Sequence, residues 1–282
     1  MSHPRVSALM TSHNRATSTL ACLEALYAST TSAKLDVGVV LVDAGSSDGT
    51  VSLVRQRFPA VTVVERGPEL FWNGGMRVAL AHAYPSDPDH YLWLNDDVVL
   101  DADAIERLLA AHSALEAAQG APVVAVGSTR DPASGEATYG GVTRPDRLRR
   151  LSYEMVPPAC YPRPAETMNG NCVLVPRGVV DRIGNLAAAF THGMGDFDYG
   201  HRARRAGCEV WIVEGTIGTC ARNEPSAPAT SIAEYRRRAT AVKGGLPPRE
   251  WVTFARRWAG PLWPLYAGSP YLRGLLRTRW RT

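Results

Sequence analysis

Two acidic clusters hold the residues in this chain best suited to chemistry. Asn95-Asp96-Asp97 follows the apolar run Tyr91–Leu94. Hard oxygen ligands at the end of a buried strand can hold Mg2+ or Mn2+, ions that keep several waters and bridge to substrate phosphates. A cation there would stabilise a departing diphosphate. The plainer alternative is a solvated acidic turn ahead of a helix whose first turn Asp101 and Asp103 favour. The second cluster is Asp196 and Asp198 in Gly193-Met194-Gly195-Asp196-Phe197-Asp198-Tyr199-Gly200-His201-Arg202. Paired carboxylates opening a helix can supply a general base. Residues two apart on a helix point about 200° apart, so one of the two faces a cleft. Asp198 and Arg202 stand at i, i+4 for an ion pair. Both carboxylates acting only as partners of the helix dipole is the alternative.

Two further segments could bind a ligand. Asp43 lies in Val42-Asp43-Ala44-Gly45-Ser46-Ser47-Asp48-Gly49-Thr50. An acid directly after a buried strand can accept hydrogen bonds from a ribose or a base edge, and the Gly/Ser turn admits a ligand to the backbone. It also reads as an ordinary strand-to-helix loop with Asp48 capping the next helix. Phe71-Trp72-Asn73-Gly74-Gly75-Met76-Arg77 combines an aromatic platform, a permissive glycine pair and a cation. It suits a nucleotide or sugar pocket, although tryptophan beside Gly-Gly is as often packing and Arg77 as often a helix-surface residue. His13 and His192 sit where either could approach a site. No HExxH, GxSxG, Walker A or GxGxxG pattern occurs, which argues against a zinc protease, a serine hydrolase and the common phosphate-binding loops.

Positioning these residues requires strands alternating with helices. Strands are expected at Val6–Met10, Val37–Val42, Val61–Val64, Tyr91–Leu94, Val123–Val126, Asn171–Val175 and Glu209–Val213. Helices are expected at about 16–29, 50–58, 75–84 and 102–118, from Arg177 onward and at about 196–206. This alternation indicates βαβ units and a mostly parallel sheet. Ligands in such sheets sit beyond the carboxyl ends of the strands. The loops Thr11–Arg15, Asp43–Gly49, Glu65–Gly74 and Asn95–Val98 therefore share one rim. Residues 128–170, rich in Gly, Pro and Arg, read as hairpins or loops. No internal repeat is found.

Composition bounds the rest. A chain of 282 residues with 45% hydrophobic and 21% charged residues is globular rather than disordered. Its length allows two domains or one large α/β domain. The longest purely aliphatic run, Val39–Val42, is far short of a membrane span. Five cysteines without a CxxC pair disfavour a disulfide framework or structural zinc. Met1–Arg5 runs into a short apolar stretch with no signal-peptide pattern, so a cytoplasmic location is expected. The net charge of +4 conceals an asymmetry. Residues 226–282 hold eleven Lys/Arg against Glu234 and Glu250, a net +9, which leaves −5 on the remainder. Trp251, Phe254, Ala255 and Trp258 fall on one helical face of this basic segment. That pattern suits either an interfacial helix on anionic lipid through 249–282 or packing on the body. An acidic body without a recognition motif argues against nucleic-acid binding.

Taken in order, Ser12-His13-Asn14-Arg15, the 42–50 loop, Leu94-Asn95-Asp96-Asp97 and Gly195-Asp196-Phe197-Asp198-Tyr199-Gly200 resemble the family 2 glycosyltransferases, inverting enzymes of the GT-A fold. The resemblance covers roughly residues 6–223. It implies a Rossmann-like α/β unit over 1–225, with a nucleotide-sugar half at 1–100, an acceptor half at 101–225 and a helical extension at 226–282. It also implies donor contacts from Ser12, Asn14, Arg15, Asp43, Gly45, Trp72, Gly74, Gly75, Arg77, Asn95 and Asp96. Mg2+ or Mn2+ would lie on Asp97 and the catalytic base would be Asp196, with Asp198 and Arg202 as reserve or support. The implied reaction carries a sugar from a nucleotide diphosphate to a hydroxyl of a glycan or lipid-linked glycan, in envelope polysaccharide synthesis. The Phe71–Arg77 segment resembles a rhamnosyltransferase-like subgroup. Three positions depart from the family pattern: Asn95 for the first acid of DxD, Ala44 for a second acid in the nucleotide loop, and Gly195 for the Glu of a Glu-Asp pair. A sugar nucleotidyltransferase and a catalytically silent binding module are the competing readings.

Overall fold

A computed structural model describes residues 4–32, 35–223 and 229–279. Lys34, Trp280 and Arg281, part of the charge and aromatic patterns above, lie outside the described residues. Eight strands form the main sheet: β1 (Val6–Ser12), β2 (Val37–Ala44), β3 (Thr62–Arg66), β4 (His90–Leu94), β5 (Val123–Val126), β6 (Arg163–Pro164), β7 (Cys172–Pro176) and β8 (Glu209–Ile212). Their order is β6-β8-β5-β7-β4-β1-β2-β3. Every residue of β1 is buried, as a strand with parallel neighbours on both sides requires. The run from β4 to β3 is parallel, and β8 pairs parallel with β5. The sheet as a whole is mixed, because β7 inserts antiparallel between β4 and β5.

That insertion, which the alternating pattern does not reveal, matters for the site. Cys172 pairs with Leu94, so the residues just before β7 lie beside those just after β4. Asn95 N donates to Asn171 O at 2.9 Å across this junction.

Helices cover both faces: α1 (Ala16–Ser32), α2 (Thr50–Arg57) and α4 (Ala104–Gln119) on one, α3 (Phe71–Ala83), α5 (Arg177–Ile183) and α6 (Gly195–Arg205) on the other. Strand alternation divides the core between them. Leu9 and Trp93 face Met76, Leu80 and Tyr199, whereas Met10, Leu92 and Leu94 face Leu23, Leu26 and Ile105. Helix α3 begins at Phe71, four residues earlier than the pattern suggests, so Phe71–Gly74 are helical as well as Gly75. A Cβ on Gly75 would come within 2.1 Å of Thr11 Oγ1, so this glycine lets α3 lie close on β1.

Three helices follow: α7 (Ile232–Ala239), α8 (Pro248–Trp258) and α9 (Trp263–Arg279). Ser231 Oγ accepts from Glu234 N and caps α7. The apolar face of α8 packs into a third cluster with Phe190, Met194 and Phe197. Trp251 Nε1 donates to Ala267 O of α9 at 3.0 Å. Burial of Trp251, Phe254 and Trp258 contributes roughly 1.5–3 kcal/mol each. The aromatic face of α8 is therefore interior: of its two readings, packing on the body describes it and an interfacial lipid-binding face does not. No helix among the described residues is long and apolar enough to cross a membrane.

Candidate active site

The four loops expected to share a rim do so, around a cleft of about 470 Å³. Its first two loops are tied together. His13 Nδ1 bonds Ala44 O at 2.7 Å, Asn14 N donates to Ser46 Oγ at 2.8 Å and Ser47 N to Asn14 Oδ1 at 2.7 Å. Asp48 joins two helix starts, accepting from Ala16 N with one oxygen and Thr50 N with the other. Asn14, Phe71 and Met194, all at or next to the cleft, hold positive φ of 52°, 48° and 66°. Non-glycine residues keep such strained backbone only where surrounding contacts enforce it, often at functional sites.

On the donor side the cleft is lined by Ser12, Arg15, Trp72, Asn95, Asp96 and Asp97. Trp72 Nε1 donates to Asn95 Oδ1 at 2.7 Å, which orients the indole. Arg15 straddles the acidic pair, 2.8 Å from Asp97 Oδ2 and 3.5 Å from Asp96 Oδ1. Burial pushes the Asp96 carboxyl up to about 6, against the opposing pull of Arg15 and Ser12. Asp96 Oδ2 and Asp97 Oδ1 are buried without a hydrogen-bond partner. These unpartnered carboxylate oxygens fit a Mg2+ or Mn2+ ion that takes its other ligands from waters and phosphate. No group of three or more His, Cys, Asp or Glu residues among the described residues forms a complete protein cage.

Asp196, at the start of α6, lines the same cleft. Its Oδ2 accepts from Gly170 N at 3.0 Å and its Oδ1 from Phe197 N at 2.9 Å. Each oxygen keeps a lone pair for a further donor. Burial pushes this carboxyl up to about 6, with the two backbone N–H groups opposing the rise. Gly170 is needed there, since a Cβ would lie 2.4 Å from the Trp72 ring. His192 also lines the cleft, and its pKa is lowered by burial and then by the Lys243 charge.

Several expected residues lie elsewhere. Asp198 is fully buried on the opposite side of α6, bonded to Arg202 Nε, Arg257 Nη1 and Trp258 Nε1 at 2.9, 2.8 and 3.0 Å. It cannot serve as a reserve base; the 200° offset from Asp196 turns it toward α8. Arg202 completes the i, i+4 pair and donates to Ile183 O and Asn185 O, outside the cleft. Arg77 Nε donates to Leu186 O at 3.1 Å and is engaged away from any donor phosphate. Gly74 and Gly75 pack on Leu70 and Thr11 instead of forming a ligand turn. Asn14 and Gly45 shape the rim without lining the cleft. Asp43 is buried beside it, with Oδ2 accepting from Ser46 N and Oδ1 unpartnered.

Tyr139, Asn171, Asn223 and Lys243 line the cleft although nothing in the sequence reading placed them there. For Lys243 a signal existed: it and Lys34 are the only lysines among 31 basic residues.

A cleft at the carboxyl ends of parallel strands, lined by an acidic pair and a helix-borne carboxylate, defines a GT-A type of α/β protein. Residues 3–241 match the family model described as "Glycosyltransferase like family 2", and the chain belongs to that family. The mannosyltransferase PcManGT from Pyrobaculum calidifontis, solved with GDP-Man and Mn2+, is similar in fold, with a TM-score of 0.55 and 19% identity over 99% of this chain and 74% of that one. S. aureus TarS 1–349 is similar with a TM-score of 0.55 and 11% identity over 89% of this chain and 64% of that one. No curated protein sequence matches the chain.

Proposed function

We propose that this protein transfers a sugar from a nucleotide diphosphate donor to a hydroxyl of a glycan or lipid-linked glycan, with inversion at the anomeric carbon. One observation carries the reading: Asp196 and the Asp96-Asp97 pair line one cleft, and burial raises the Asp196 carboxyl. Family membership supports the reaction class.

Asp196 accepts the proton of the acceptor hydroxyl. The oxygen forms its bond to the anomeric carbon from the face opposite the nucleotide, and the carbon–oxygen bond to the diphosphate breaks with its electron pair on the leaving group. A pKa near 6 makes Asp196 a stronger base at neutral pH than an ordinary carboxylate, while leaving it ionised. Gly170 N and Phe197 N hold both its oxygens in place. Arg15 and Ser12 contribute positive charge and hydrogen bonding on the diphosphate side, and Trp72 supplies an apolar wall. Asp97, with Asp96, would hold Mg2+ or Mn2+; when bound, the ion supplies charge stabilisation to the leaving diphosphate.

An envelope polysaccharide is the acceptor class we favour, with a rhamnosyl or other hexosyl donor, acting from the cytoplasmic side. Because the aromatic face of α8 is buried, contact of this segment with anionic lipid would rest, among the described residues, on exposed Leu262, Leu265 and Leu272 with Arg256 and Arg257. The test is release of nucleoside diphosphate from a panel of nucleotide sugars with Mn2+, with and without acceptor. Acceptor-stimulated release that disappears in Asp196→Asn supports the proposal. No release from any donor defeats it.

A further inference from the structure

A second cavity of about 590 Å³ adjoins the cleft, lined among others by Tyr235, Arg237, Arg238, Ala241, Lys243 and Gly244. Among the described residues, none that lines it is acidic. Lys243 lines both cavities, so the two meet at that residue. From this geometry we infer that the groove formed by α7 and the α7–α8 turn is an anion subsite. It receives a phosphate or diphosphate carried by the acceptor, and Lys243 stands where that group meets the cleft. The inference rests on the transferase reading for the word acceptor, but not for the anion site itself.

The groove is built on constrained backbone. Ala241 N donates to Arg238 O at 3.2 Å and Leu246 N to Ala239 O at 2.7 Å, closing the turn that presents Lys243. Gly244 holds φ +76°. A Cβ on Gly245 would lie 2.4 Å from Ala241 O, so the turn admits only glycine there. Helix α7 is fixed at its start and at its middle. Ser231 and Glu234 cap its start, and Tyr235 Oη donates to the carbonyls of Pro270 and Tyr271 at 3.2 Å. Arg238 is paired with Glu234 along the helix, which leaves Arg237 and Lys243 as the outward cations of the groove.

The charge arrangement selects the ligand class. A neutral glycan gains nothing from converging cations, whereas a phosphate offers several acceptor oxygens that a guanidinium fork and an ammonium satisfy. The donor's own diphosphate would sit beside Arg15 and the acidic pair, none of which lines the second cavity. Lys243 sits on the His192 side, as its effect in lowering the His192 pKa, second to burial, requires. An anion held at Lys243 would lie at the edge of the cleft that Asp196 also lines.

The test is calorimetric titration of the full chain with inorganic pyrophosphate, alone and with a saturating nucleoside diphosphate to fill the donor wall. Geranyl diphosphate and glucose 1-phosphate, titrated in parallel, distinguish a lipid-borne from a glycan-borne phosphate. Pyrophosphate should still bind with the nucleotide present, and Arg237→Glu should weaken it by about tenfold or more. Arg236→Glu makes the same charge change on an exposed residue that does not line the groove, and should leave the affinity within about twofold. Equal losses in the two variants, or no pyrophosphate binding once the nucleotide is present, would overturn the subsite. Thermal unfolding of each variant verifies that it is folded. Because no turnover is read, the groove can stand if sugar transfer fails, and transfer can stand if the groove fails.

Discussion

The indole Nε1 of Trp258 donates to Asp198 Oδ1 at 3.0 Å, fastening α8 to the helix that carries Asp196. Arg257 reaches the same oxygen and Arg202 the other, so one fully buried carboxylate organises three partners. Asp198→Ala should therefore destabilise the fold by about 2–4 kcal/mol, toward the low end of breaking a buried pair because both arginines retain some access to water. Chemical denaturation measures this. Nucleotide binding to the folded fraction should persist, which would separate Asp198 from the chemistry.

Removing the Asp196 base should lower transfer by about 10²–10⁴-fold while nucleotide-sugar affinity stays within a few-fold. In the unaltered protein, transfer should rise with pH through about 6 as Asp196 and Asp96 ionise. A rate that is flat between pH 5 and pH 8 would exclude a base of this kind.

The same shift has a sign in stability. Asp196 has a folded pKa of about 6, above its unfolded value, so the native state binds the proton more tightly. Its contribution is fully present below the unfolded pKa and declines as pH rises toward 6. Asp196→Asn removes this dependence. The stability of the variant relative to the parent should therefore grow by roughly 2–3 kcal/mol between pH 4 and pH 8. Denaturation at the two pH values reads the difference, and any constant cost of replacing the carboxylate cancels.

Strand-end chemistry was legible from local pattern. Buried runs ending in Asp43 and in Asn95-Asp96-Asp97 placed those loops on one rim, because parallel strands bring their carboxyl ends together. Gly170 and Asn171 were not legible, since they depend on β7 running antiparallel beside β4. Arg77 and Gly75 read as ligand groups because residue type alone does not show which face of α3 they occupy; in the fold Gly75 serves the packing of α3 on β1 and Arg77 donates to Leu186 O. The amphipathic pattern of α8 was visible, but a periodic apolar face does not say whether lipid or protein covers it. Asp198, reached from a helix about sixty residues onward, supplies that answer only in three dimensions.

The departure at Gly195 has a steric cause. A Cβ at 195 would lie 1.9 Å from Asn73 Oδ1. Asn73 cannot swing away, because its Nδ2 donates to Ala187 O and Phe190 O at 3.1 and 2.6 Å. Gly195→Ala should cost about 1–3 kcal/mol and, by shifting the adjacent Asp196, reduce transfer by about tenfold or more. Pairing it with Asn73→Ala should cost less than the sum of the two single changes by at least about 0.5 kcal/mol. Additive losses would show that position 195 is glycine for another reason.

Chelation probes the acidic wall. Asp96 Oδ2 and Asp97 Oδ1 are buried and unpartnered, while Arg15 occupies the opposite oxygen of each. If a divalent ion binds there, EDTA should suppress transfer and Mn2+ or Mg2+ should restore it. Asp97→Asn should raise the metal concentration needed for half-restoration by about tenfold, since a neutral amide replaces one of two anionic ligands. Binding gives a second readout: nucleoside diphosphate affinity should fall on chelation in the parent protein and less in the variant. Undiminished transfer and affinity after chelation would mean that Arg15, not a cation, balances the diphosphate charge.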